Sequence, residues 1–147
     1  MTESPMRAEL ADRYSRRRAR MMPVLAVLFL TQQVSYFAGN DASRTVDHVK
    51  IGAWLLMAAV ILAILMTGGA WLRPAAVRAL MNDDITRANR DRAVSLGFVV
   101  SMATAMALYP FAALTGVSAQ EAIHVIVSLG LIAALIRFGA LERRALA

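Results

Sequence analysis

The chain of 147 residues is long enough for one domain and little more. Hydrophobic residues make up 59% of it and charged residues 18%, which excludes a disordered chain and is typical of a membrane protein rather than a soluble domain. The absence of cysteine excludes disulfides, thiolate metal sites and cysteine nucleophiles, and the formal net charge is +6.

Uncharged stretches predict four transmembrane helices. Residues 21–40, 51–72 and 93–120 carry no charged side chain, and each stretch reaches the roughly 20 residues that cross a bilayer core as a helix. A fourth stretch, 122–136, is shorter, but it can span if Glu121 lies among the headgroups and Arg137 extends to the interface. We therefore predict an all-α integral membrane four-helix bundle, in which a basic tail (1–20) precedes a single transmembrane domain (21–147). The predicted spans are 21–39, 50–71, 93–115 and 119–141.

Basic residues are concentrated in three segments. Of the 16 basic residues, 14 lie in the tail 1–20, in the loop 73–92 or after residue 136, and only Arg44 and Lys50 lie elsewhere. Because cytoplasmic loops carry an excess of arginine and lysine, this distribution predicts a multi-pass protein of the bacterial inner membrane with both termini in the cytoplasm. Ser15-Arg16-Arg17 also resembles a twin-arginine signal, but no Ala-x-Ala site follows the apolar run, so we expect no cleavage.

Local motifs predict several helix boundaries. Ser118-x-x-Glu121 is a capping box, which predicts the start of the fourth helix. Pro74 suits the first turn of a short amphipathic cytoplasmic helix that ends at Met81. Asn82 or Asp83 then caps a segment that we expect to continue unbroken into the third helix.

The two halves of the chain are weakly alike. Each half begins an apolar run at an arginine, ends it at aromatic residues, and re-enters the membrane through an acidic residue and a histidine. In the first half these positions are Arg20, Tyr36-Phe37 and Asp47-His48. In the second half they are Arg92, Tyr109-Pro110-Phe111, and Glu121 with His124. A tandem pair of helical hairpins would produce this pattern, and so would the constraints that a membrane imposes on any hairpin.

Polar side chains inside the predicted spans are few and uncharged. Gln32 and Gln33 lie in the first span, and Ser101 and Thr104 lie in the third. We expect them to form hydrogen bonds between helices, each worth on the order of 1 kcal/mol. The alternative is a small transport component in which the two glutamines line a path. The lack of an ionisable group at depth disfavours proton- or cation-coupled transport.

Small residues recur at helical spacing in the last two spans. Gly97, Ser101 and Ala105 form one ridge, and Gly130 with Ala134 forms a second. Such ridges let helix backbones approach closely, so we expect close packing within the bundle, while a homodimer face is the alternative.

His48 and His124 occupy corresponding positions near the outer ends of two spans. Two histidines on different helices can hold one haem iron, so one hypothesis is a haem- or quinone-binding subunit of a membrane redox complex. Interfacial histidines more often bond to headgroups or neighbouring acids. We therefore expect no cofactor and no bound metal.

The segment 82–92 is the most distinctive part of the predicted cytoplasmic surface. Acidic and basic residues three and four apart, Asp83 or Asp84 with Arg87, could form ion pairs along an exposed helix. A solvated helix explains this pattern, and so does a docking element for a protein. The candidate partner-binding residues are Asp83, Asp84, Arg87, Asn89 and Arg90. Direct binding of nucleic acid is not expected, because no DNA-binding fold fits beside four spans.

The run Asn82-Asp83-Asp84-x-Thr86-Arg87-x-Asn89-Arg90, which leads into a predicted span, resembles a motif of small bacterial four-helix membrane proteins. Such proteins carry an Asp-Asp or Asp-Glu motif beside the membrane and are often paired with a helix-turn-helix or LytTR regulator. The resemblance implies a membrane protein that restrains a transcription regulator. Because the sequence also lacks a catalytic cluster, the resemblance predicts a non-enzymatic regulatory or accessory protein. Membrane lipids are its other expected partners.

Overall fold

The computed structural model describes residues 3–38, 44–69 and 83–146, and this part of the chain contains four helices and no strand. The helices are α1 (Glu3–Ala38), α2 (Arg44–Thr67), α3 (Asp84–Thr115) and α4 (Ala119–Ala145). Three segments are long and apolar enough to cross a membrane: His48–Thr67, Asp84–Ala112 and Ala119–Ala145. The predicted all-α membrane four-helix bundle is therefore confirmed. A fourth crossing by the apolar half of α1 stays a prediction.

Helix α4 lies at the centre of the bundle. It packs most extensively against α3 and α1, and α2 contacts it more lightly. The largest fully buried side chains, Phe29, Ile61, Leu65, Leu135 and Phe138, come from α1, α2 and α4 and form the core. Most of the apolar surface of α3 points outward, where lipid can cover it at little cost because acyl chains are as apolar as leucine.

Neighbouring helices run in alternating directions. Arg18 on α1 hydrogen-bonds to Gly68 just after α2, to Thr86 in the first turn of α3 and to Glu142 in the last turn of α4. One end of the bundle, which we call the basic end, therefore holds the N-terminal half of α1, the end of α2, the start of α3 and the end of α4. The side of the membrane on which this end lies stays a prediction.

Glycines let α3 and α4 approach closely. A Cβ atom on Gly97 would lie 2.7 Å from the carbonyl oxygen of Gly130 and 2.9 Å from the Cβ of Ala134. The hydroxyl of Ser101 donates to the carbonyl of Ile126 at 3.3 Å. The predicted packing of the small-residue ridges within the bundle is confirmed.

Helix boundaries agree with the local motifs but differ for the tail. The capping box of Ser118 with Glu121 begins α4, and Asp83 caps α3, which continues without interruption into the apolar stretch. The predicted short helix between Pro74 and Met81 lies outside the described residues. The tail is helical from Glu3 onward and continuous with the apolar part of α1, because its alanines, arginines and glutamates are strong helix formers and its Ala11 and Ala19 are buried.

Candidate functional site

A buried ion pair joins the helices at the basic end. The side chains of Arg18 and Glu142 are 5% and 4% exposed, and Nη2 of the arginine bonds to Oε2 of the glutamate. Arg18 also donates to the Gly68 carbonyl and to Oγ1 of Thr86, each at 3.2 Å. The second carboxylate oxygen of Glu142 accepts a hydrogen bond from Nδ2 of Asn89 at 3.1 Å. This Arg18–Glu142 network therefore joins α1, α3 and α4 to the turn that directly follows α2.

The network contains a buried pair of charges that the sequence did not reveal. Two ionised groups out of water are tolerated only when they are paired and their remaining bonding capacity is satisfied. Here the arginine donates to three residues of the described part of the chain, and its guanidinium carbon lies 5.6 Å from the ring centre of Phe138, within the range of a cation–π contact. The pair lies at the bundle end, so the middle of the apolar runs is still uncharged.

The first turns of α3 have one buried side and one exposed side. Oδ1 of Asp83 accepts from the backbone N–H of Thr86 at 2.8 Å, which fixes the helix start. Thr86 and Asn89 point inward to the Arg18–Glu142 network, and Ala93 is fully buried. The side chains on the opposite side, which we call the α3 outer face, are Asp83, Asp84, Arg87, Asp91 and Arg92, with Arg90 half-buried beside them.

The five predicted partner-binding residues are not all exposed. Asp83, Asp84 and Arg87 are exposed and Arg90 is partly exposed, whereas the amide of Asn89 is used inside the bundle. Neither aspartate forms an ion pair with Arg87, and among the described residues the ion-pair contact of Arg90 is with Asp91 at 4.0 Å. Contacts with the other helices therefore hold this segment in place. The sequence had instead suggested ion pairs between residues of the same helix.

A second polar cluster lies toward the opposite end of the bundle, around His124. The ring of His124 is stacked between Tyr36 and Trp54, with ring centres 4.1 and 4.3 Å away, and the residue is only 3% exposed. Its Nε2 is bonded to Oε1 of Gln33, whose own amide nitrogen donates to the carbonyl of Phe29 at 3.0 Å. Both faces and one ring nitrogen of the imidazole are therefore occupied.

This cluster does not fit a haem held by two histidines. His48 is exposed near the start of α2, whereas His124 is enclosed and already bonded through Nε2. The cavity beside His124 has a volume of about 190 Å³, close to the roughly 150 Å³ that takes a single benzene ring and far too small for a porphyrin. The described residues also contain no group of three or more side chains that could hold a metal ion.

The other predicted intramembrane polar residues behave differently from one another. Gln33 and Ser101 form the expected hydrogen bonds between helices, to His124 and to the Ile126 carbonyl. Thr104 instead bonds within its own helix, to the carbonyl of Val100 at 2.8 Å. Gln32 is half-buried, and its Oε1 is shielded without a hydrogen-bond partner among the described residues.

Arg18, Thr86, Glu142 and the rings around His124 are residues that sequence reasoning missed. Glu142 is the single acidic residue of the arginine-rich segment 137–144, and this was the available signal for an internal ion pair. Comparison with known protein families, curated proteins and solved structures found no match to this chain. The fold defines its class, which is an all-α membrane four-helix bundle.

Proposed function

We propose that this is a non-enzymatic regulatory or accessory protein of the inner membrane, which binds a protein partner through the α3 outer face. In this proposal the chain crosses the membrane four times and the basic end lies in the cytoplasm, because 14 of the 16 basic residues lie in residues 1–20, 73–92 or 137–147 of the sequence. The observation that carries the proposal is the firm attachment of a charged, exposed helix start to the interior of the bundle.

That attachment matters because ordering a surface during binding costs free energy. Thr86 and Asn89 hold the inner side of the segment to Arg18 and Glu142, so the outer side chains stand on a backbone that is already positioned. A solvated helix with no partner would not require such buried polar contacts on its inner side. The attachment therefore favours a docking element for a protein over a solvated helix that has no partner.

The chemistry of the α3 outer face indicates the kind of partner. It mixes carboxylates (Asp84, Asp91) with guanidiniums (Arg87, Arg92) and carries few apolar side chains. A surface of this kind suits a partner with complementary charges of both signs, and such binding weakens as salt increases. A cytoplasmic transcription regulator, as the motif resemblance implies, is the partner class that we propose.

Crosslinking in cells tests the proposal. A photoreactive amino acid replaces Asp84, Arg87 or Asp91 on the α3 outer face, and matched control sites are Arg13 on α1 at the same end and Met106 on the apolar side of α3. We expect one discrete protein adduct from the three α3 sites, and lipid or no adduct from Met106. Adducts of equal yield from Arg13, or none from any α3 site, would contradict a docking role for this face.

A further inference from the structure

Three arginine side chains converge on a cavity of about 330 Å³ at the basic end, which we call the arginine cavity. Arg16 and Arg20 stand one turn apart on the same side of α1, and Arg143 faces them from the last turn of α4. Ala19 and Leu146 complete the lining. We propose that this cavity binds the phosphodiester headgroup of an anionic phospholipid.

The charge in the arginine cavity is not balanced by the protein. Arg16 pairs with Asp12 at 3.0 Å, but both side chains are about half exposed, so the pair is weak. Arg20 and Arg143 form no ion pair with any described residue. Glu142, the neighbour of Arg143, points into the bundle and is bound to Arg18. Guanidiniums held close together repel one another, and a bound anion would relieve that repulsion.

The cavity also lies at the level where phospholipid phosphates are found. Arg20 directly precedes the apolar stretch that starts at Met21, and Arg143 lies two residues after Leu141, where the predicted fourth span ends. When these stretches lie in the hydrocarbon core, both arginines reach the headgroup layer. Basic pockets between helices at this level are typical sites for anionic headgroups.

The shape and chemistry of the cavity favour a lipid over a free anion. Guanidinium groups bind phosphate oxygens through paired hydrogen bonds, which the planar ends of Arg20 and Arg143 can supply from two sides. Ala19 and Leu146 add an apolar wall that suits the glycerol and first methylenes of a lipid. At roughly 30 Å³ per water, the volume equals about eleven water molecules, which is enough for a diester headgroup.

Native mass spectrometry of the full chain in a neutral detergent tests this inference, with phosphatidylglycerol as the probe. The cavity variant is Arg20→Gln with Arg143→Gln. The matched control is Arg17→Gln with Arg144→Gln, which removes the same charge from exposed positions at the same helix ends but outside the cavity lining. Circular dichroism checks that every variant keeps the helical fold.

We expect the cavity variant to bind phosphatidylglycerol about 30-fold more weakly than the native chain, which is about 2 kcal/mol at about 1.4 kcal/mol per tenfold change. Each single variant should lose about fivefold, and the control should stay within about twofold. Equal loss in the control would show a diffuse surface effect and overturn the inference. Retention of phosphatidylcholine as strong as that of phosphatidylglycerol would also overturn it, as would displacement of the lipid by inorganic phosphate at equal concentration.

Discussion

Replacing Glu142 with leucine removes the carboxylate that pairs with Arg18 in the core of the basic end. The guanidinium then keeps its positive charge among side chains that exclude water, where the Gly68 carbonyl and the Thr86 hydroxyl are neutral partners that do not balance that charge. Asn89 loses its acceptor as well. Breaking a buried pair from one side costs about 3–5 kcal/mol, and the lost amide contact adds about 1 kcal/mol.

A double variant distinguishes the cost of leaving one charge unpaired from the cost of changing these two positions. Arg18→Met with Glu142→Leu removes both charges and fills the space with apolar side chains, so no charge is left buried. Replacing a whole buried pair by apolar residues is often neutral or stabilising. Because Asn89, Thr86 and Gly68 lose their partners, we expect the double variant to be about 1–3 kcal/mol less stable than the native chain. The coupling free energy between the two positions should be at least about 3 kcal/mol.

The assay is equilibrium unfolding in mild detergent, followed by circular dichroism as a denaturing detergent is added. The exposed pair of Asp12 with Arg16 on the same helix is the matched control, and Asp12→Asn should cost less than about 1 kcal/mol because both side chains are about half exposed. The reasoning is refuted if Glu142→Leu costs no more than Asp12→Asn, or if the double variant is as unstable as the sum of the single variants.

Other predictions concern packing and the His124 cluster. Gly130→Ala should destabilise the bundle by about 1–3 kcal/mol, because its Cβ would overlap the Ser101 hydroxyl, which bonds to Ile126, and would lie 3.0 Å from the Gly97 carbonyl oxygen. Gly52→Ala in open space should be neutral or slightly stabilising, and the same unfolding assay compares the two variants. His124→Ala should expose the ring of Trp54 and shift its fluorescence to longer wavelength, measured in a Trp71→Phe background; an unchanged spectrum would contradict the stacked geometry. Purified protein expressed with haem supplied should show no Soret band, and a stoichiometric band would contradict the tight enclosure of the imidazole.

The sequence by itself determined the class of fold, because the features that specify it are local. An uncharged run of about 20 residues and the spacing of Ser118 and Glu121 act within one helix, so they could be read without knowing any neighbour. The protein partner and the location of the basic end in the cytoplasm stay predictions.

Only the tertiary structure decided which polar residues meet. Arg18 and Glu142 are 124 positions apart, and Gln33 and His124 are 91 apart, so no local pattern links them. Arg18 looked like one of several equivalent tail arginines, and Asn89 looked like part of an exposed motif. Their roles depend on which side of each helix faces α4, and packing of the apolar core decides this. A polar side chain on the inner side must then be paired, whereas one on the outer side is exposed to solvent.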